Sequence, residues 1–109
     1  MKNMKGGVAV VTGGASGLGK AMAEEAARRG MKVVIADVEA GAMEQAVTDV
    51  RTSGAEAIGV LTDVTSASSV EALAAATEQS FGPANLLFNN AGVASGGPIW
   101  ESTEKDWKW

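Results

Sequence analysis

Four short apolar runs, separated by stretches of helical spacing, restrict this 109-residue chain to one fold class. The first, Val8-Ala9-Val10-Val11, shows no polar alternation, which suits a strand buried on both faces of a parallel sheet. It ends in Thr12-Gly13-Gly14. Leu18, Ala21, Met22 and Ala26 follow at helical spacing, and Arg28, Arg29 and Gly30 form a helix stop. Lys32 to Asp37 reads as a second buried strand. Met43, Ala46, Val47 and Val50 mark a second helix, stopped by Gly54. Ala57 to Thr62 reads as a third strand, weakened by Gly59. Thr65 or Ser66 is placed to cap a third helix, with Val70, Leu73, Ala74, Thr77 and Phe81 on its apolar face and Gly82-Pro83 at its end. Asn85 to Asn89 completes the strands. Val93 to Pro98 reads as a loose loop, and Ser102 or Thr103 is placed to cap a further helix. Alternation of strand and helix with short connections and right-handed crossovers predicts an α/β fold. Its sheet is parallel and doubly wound, with strand order 3-2-1-4 and helices on both faces.

The segment Thr12-Gly13-Gly14-Ala15-Ser16-Gly17-Leu18-Gly19 joins the first strand to the first helix. In such a position one glycine permits a tight turn, one lets backbone approach a phosphate, and one lets helix and strand pack closely. The helix N-terminus then offers free N–H groups and partial positive charge to a pyrophosphate. Gly14 to Lys20 also matches most of a P-loop, but Ala21 stands where a Ser or Thr would hold magnesium. A nucleotide triphosphatase is therefore disfavoured, and Lys20 reads as a solvated helix residue. Asp37 ends the second strand 18 residues past Gly19, near the spacing of about 20 for an acid that binds ribose hydroxyls. Its charge would repel a 2′-phosphate, and no Arg or Lys at Ala15, Ser16 or Val38 offsets it. NAD is thus expected over NADP.

Composition removes most other chemistry. With no cysteine there is no disulfide or thiolate site, and with no histidine there is no Ser-His-Asp triad or His-ligated metal. No tyrosine is present to act as a general acid or base. Nine basic against 13 acidic residues give a net charge of −4, which offers neither nucleic acid nor anionic lipid a basic surface. No apolar stretch approaches the roughly 20 residues of a membrane span, and no signal-peptide core follows Met1. A cytoplasmic protein is expected.

Thr12-Gly13, Gly17 and Gly19, with Asp37, Asp63-Val64 and Asn89-Asn90-Ala91-Gly92, together resemble the short-chain dehydrogenase/reductase family over essentially the whole chain. The resemblance implies a three-layer, Rossmann-type fold, present in part: residues 1–109 as a partial NAD(P)-binding domain. It implies that Gly13, Ser16, Gly17, Leu18 and Gly19 surround the pyrophosphate and adenosine. By the same resemblance Asp63 and Val64 contact adenine, and Asn90, Ala91 and Gly92 line the cofactor. The family transfers hydride between nicotinamide and an alcohol or carbonyl, using a serine, a tyrosine with a lysine four residues on, and an asparagine. Ser95 and Lys105 do not occupy those places, so no catalytic residue is assigned. The chain is expected to be the N-terminal cofactor-binding part of such an enzyme, inactive alone. Homo-oligomers are expected only of the complete protein. A non-catalytic dinucleotide-binding module or regulator is the other reading. On the N-terminal-part reading, Leu86, Leu87 and Phe88 form an apolar sheet edge where the family has an interior strand, and Trp100, Trp107 and Trp109 belong to a helix that packs on further segments. Marginal stability or aggregation is expected of the isolated chain.

Overall fold

The computed structural model describes residues 5–15 and 17–90. They form β1 (Val8–Thr12), α1 (Gly17–Arg28), β2 (Lys32–Asp37), α2 (Ala40–Thr52), β3 (Ala57–Leu61), α3 (Ala67–Ser80) and β4 (Leu86–Asn89). All strand pairs are parallel and the order is β3-β2-β1-β4, as the alternation predicts. Ser16, Ala91, Gly92, the Val93–Pro98 stretch, the Ser102 or Thr103 cap and the three tryptophans lie outside the described residues.

β1 is buried along its full length because it is an inner strand with a covering layer on each side. On one face Ala9, Val11, Val33 and Ile35 meet Ala23 and Ala26 of α1 and Met43, Ala46, Val47 and Val50 of α2. On the other, Val8, Val10, Val34 and Ala36 meet Leu73 of α3. Each fully buried Val or Ile contributes about 1.5–3 kcal/mol of transfer free energy. At the β4 edge the strand is only half-buried, with Leu86 and Phe88 against the first cluster and Leu87 against the second.

α2 buries the predicted set. α1 does not. Leu18 is 60% exposed and Ala21 is exposed, while the buried stripe is Gly19, Ala23 and Ala26. The helix is rotated toward its smallest residues, because those allow it to lie closest to the sheet. Ser66 is the cap of α3, its hydroxyl accepting from the Ser69 N–H at 3.3 Å. The buried Thr77 hydroxyl donates back to the Leu73 carbonyl at 2.8 Å, and the Phe81 N–H closes the other end on the Thr77 carbonyl at 2.9 Å.

The chain runs outward from β1 to β2 and β3, then returns to the far side of β1 as β4. That reversal opens a crevice at the carboxyl ends of β1 and β4, where α/β sheets bind ligands.

Candidate cofactor-binding site

The glycine-rich turn is fastened at its entry. The Gly13 and Gly14 N–H groups donate to the Ala36 carbonyl at 2.7 and 3.3 Å, and the Ala15 N–H donates to Asp37 Oδ2 at 3.1 Å. Gly13 and Gly17 have φ of 65° and 58°, the left-handed region that side-chain-bearing residues rarely adopt. Gly17 opens α1 and faces outward, and a Cβ built there meets nothing within 4 Å. Gly19 is the opposite case: a Cβ would stand 2.0 Å from the Gly13 carbonyl oxygen. The first turn of α1 contains no acidic residue, so none of its own side chains offsets the positive end of its dipole. An exposed Gly17 beside that helix end fits the close approach of an anionic pyrophosphate.

The other wall of the crevice comes from β4. Thr12 is fully buried, and its hydroxyl donates to Asn89 Oδ1 at 2.8 Å. The Asn90 N–H donates to the Thr12 carbonyl and its side-chain amide to the Gly13 carbonyl, both at 3.3 Å. Asn90 therefore fastens the turn to β4. Thr12 and Asn89, not singled out as site residues from the sequence, make the same junction from below. Their adjacency to Gly13 and Asn90 was the available signal.

Asp37 sits at the end of β2, half-buried. Its Oδ2 accepts from Ala15, and its Oδ1 accepts from the Glu39 N–H at 3.1 Å. Each oxygen keeps a lone pair for a further donor. Beside it Val38 and Leu61 are 61% and 60% exposed, giving an apolar rim on the same side of the sheet end.

Asp63 follows β3 and is exposed, with Val64 half-buried after it. The Thr65 hydroxyl and the Thr65 N–H donate to Asp63 Oδ1 at 2.6 and 2.9 Å, and the Asp63 N–H donates to Ser69 Oγ at 2.8 Å. The Thr65 donors hold the Asp63 carboxyl below its ordinary pKa. A lowered folded pKa means stability that is present at neutral pH and lost as pH falls through that value. Asp63→Asn is therefore expected to flatten the fall in melting temperature between about pH 5 and about pH 3. Equal acid limbs in variant and parent would show that these bonds add nothing.

Lys20 corrects a sequence expectation. It is not a freely solvated helix residue: its Nζ lies 2.7 Å from Asp49 Oδ2 on α2, with the two side chains 32% and 36% exposed. Among the described residues no group of three or more Asp or Glu side chains is placed to hold a metal ion. None of their helices is long and apolar enough to cross a membrane.

A parallel sheet with a glycine turn and helix N-terminus at its switch point, and a carboxylate at the end of the neighbouring strand, defines the dinucleotide-binding α/β class. Comparison with known proteins narrows this. The sequence profile described as short chain dehydrogenase matches residues 7–109. The chain is 41% identical over its whole length to the "CLA biosynthesis dehydrogenase/reductase" of Lactiplantibacillus plantarum, covering 38% of that protein. It is 38% identical over 95% of its length to the "2,5-dichloro-2,5-cyclohexadiene-1,4-diol dehydrogenase LinX" of Sphingobium indicum, covering 42% of it. Among solved structures, a short chain dehydrogenase/reductase from Burkholderia phymatum in complex with NAD superposes with a TM-score of 0.83 at 52% identity. That superposition covers all of this chain and 39% of the other. L-Sorbose reductase from Gluconobacter frateurii, complexed with NADPH and L-sorbose, superposes with a TM-score of 0.80 at 33% identity, covering 96% of this chain and 41% of that one. The chain belongs to the short-chain dehydrogenase family. It spans about two fifths of the length of these relatives and corresponds to their N-terminal part.

Proposed function

We propose that residues 1–109 are the cofactor-binding part of an NAD-dependent oxidoreductase that moves hydride between nicotinamide and the alcohol or carbonyl of a small molecule. The observation that carries this reading is the fixed pairing of an open helix N-terminus at Gly17 with the Asp37 carboxylate, one suited to a pyrophosphate and the other to a ribose diol. The named relatives, dehydrogenases and reductases, support an oxidoreductase over a non-catalytic module.

When bound, the nicotinamide supplies the hydride acceptor or donor. The described residues bind and orient it. Gly17, Leu18 and Gly19 present backbone N–H groups to the phosphates, Gly13, whose own N–H is held by the Ala36 carbonyl, shapes the turn beside them, and Asp37 accepts from ribose hydroxyls. Asp63 and Val64 flank the adenine, where Asp63 Oδ2 has no partner among the described residues. Asn90 holds the turn and lines the crevice beside it. From the resemblance, Ser16, Ala91 and Gly92 join this set. The same reading places the protein in the cytoplasm, gives it no nucleic-acid or membrane partner, and assigns substrate binding and homo-oligomer assembly to the longer protein.

The preference for NAD rests on Asp37, which brings a negative charge to the ribose with Glu39 two residues on. Asp37→Asn keeps an acceptor for the Ala15 or Glu39 N–H, so the turn is disturbed less than in an alanine variant. Calorimetric titration with NADH and NADPH is expected to show the parent preferring NADH. In the asparagine variant that preference should fall by about tenfold, or about 1.4 kcal/mol. Unchanged discrimination would remove Asp37 from the ribose role.

A further inference from the structure

The entry of the glycine turn is fastened to β2 and its far side to β4, but its exit, the first turn of α1, depends on something else. Met22, Ala23, Ala26 and Ala27 seat the body of α1 on the core, whereas its first turn, Gly17 to Lys20, buries Gly19 alone. Among the described residues one ion pair joins α1 to α2: Lys20 to Asp49, at 2.7 Å. The second carboxylate oxygen of Asp49 accepts from Gln45 Nε2 at 3.0 Å, so the acid is held from its own helix before Lys20 reaches it. The Asp49 hydrogen bond raises the Lys20 pKa and the Lys20 hydrogen bond lowers that of Asp49, so both stay charged near neutrality. α2 is itself anchored at its head, where its cap residue Glu39 donates to Asp37.

We propose that the Lys20–Asp49 clasp is a positioning device. It sets the first turn of α1 against α2, and so fixes the distance between the phosphate-facing N–H groups and the Asp37 carboxylate. The inference rests on the cofactor reading given above. Lys20 is three residues past Gly17 and directly follows Gly19, so movement of its end of the clasp moves that turn. The pair is neutral as a unit, so its action is geometric rather than a net attraction for phosphate.

Three variants of the full 109-residue chain separate these actions: Lys20→Met, Asp49→Asn and the double variant. Each is titrated with NADH and with adenosine, which lacks phosphate. All three are expected to lose NADH affinity by about threefold to fivefold, the range of a half-exposed ion pair. Adenosine affinity is expected to stay at the parent value, and a fourth variant, Lys20→Arg, to retain parent NADH affinity. The proposal is overturned if Lys20→Met weakens NADH, Asp49→Asn tightens it and the double variant returns to the parent, because charge alone would then act. Equal losses of NADH and adenosine, with a lower melting temperature, overturn it as well by showing a merely stabilising contact. A ligand-free measurement keeps it separate from the cofactor reading. The amide NMR signals of Gly13 and Gly19 should move in the double variant while those of Val33 and Val34 stay. Stationary Gly13 and Gly19 signals overturn the clasp, whereas failure of the parent to bind NADH overturns the cofactor reading.

Discussion

Gly19→Ala is expected to lower the melting temperature of the chain by on the order of 10 °C. The added Cβ would stand 2.0 Å from the Gly13 carbonyl oxygen, 2.8 Å from the Gly13 carbonyl carbon and 3.0 Å from the Gly14 Cα. All three are backbone atoms, so no side-chain rotation relieves the overlap. Either α1 lifts from the sheet or the turn opens. Lifting α1 breaks the contact of Ala23 and Ala26 with the core, and opening the turn breaks its bonds to Ala36 and Asp37. Overpacking of this kind costs about 3 kcal/mol, and a domain of this size loses roughly 4 °C for each kcal/mol. Circular dichroism or scanning calorimetry reads the shift. A variant melting within about 2 °C of the parent would show that α1 slides freely on its neighbours.

Gly17→Val is expected to give the converse result, a chain that folds and does not bind. Nothing lies within 4 Å of a Cβ at position 17, so the protein is not overpacked. The backbone φ of 58° is strained for a β-branched residue, at about 1–2 kcal/mol, so the melting temperature falls by several degrees only. The two methyl groups instead occupy the approach to the N-terminus of α1. NADH affinity is expected to fall more than about a hundredfold, or about 2.7 kcal/mol, with adenosine affinity largely kept. Retained NADH affinity would show that the turn is only structural. Together the two glycines divide the motif into one position filled by the protein and one kept clear of it.

The contrast between α1 and α2 shows what a sequence can reveal. In α2 the buried residues Met43, Ala46, Val47 and Val50 stand out because three of them are large and their neighbours are polar. In α1 hydrophobicity favours Leu18 and Met22; Met22 does pack on the core, but the contact distance is set by Gly19, so Leu18 is left exposed and the fully buried positions are the small residues. Size, not hydropathy, decided that rotation. The turn and Asp37 were legible because glycine at a strand-to-helix junction and an acid at a fixed spacing are nearly local constraints. The Asp63-x-Thr65 turn is equally local, an acid two residues before a hydroxyl. The Lys20–Asp49 pair is not, since it depends on the relative rotation of two helices. The Thr12–Asn89 bond required the register of β1 against β4.

That last bond has a consequence for how the protein is made. Thr12 meets Asn89 and Gly13 meets Asn90 across 77 positions of sequence. Contacts so distant form late, after local pairings have paid the entropy of closing the loop. A nascent chain can staple its turn to β2 early, but the crevice gains its second wall only once Asn90 has been synthesised and β4 has docked. A dinucleotide that needs both walls stabilises, by mass action, only chains that have reached that stage. The cofactor reading thus predicts that a dinucleotide stabilises chains in which β4 has docked on β1 and leaves those that have paired only β1 to β3 unaffected.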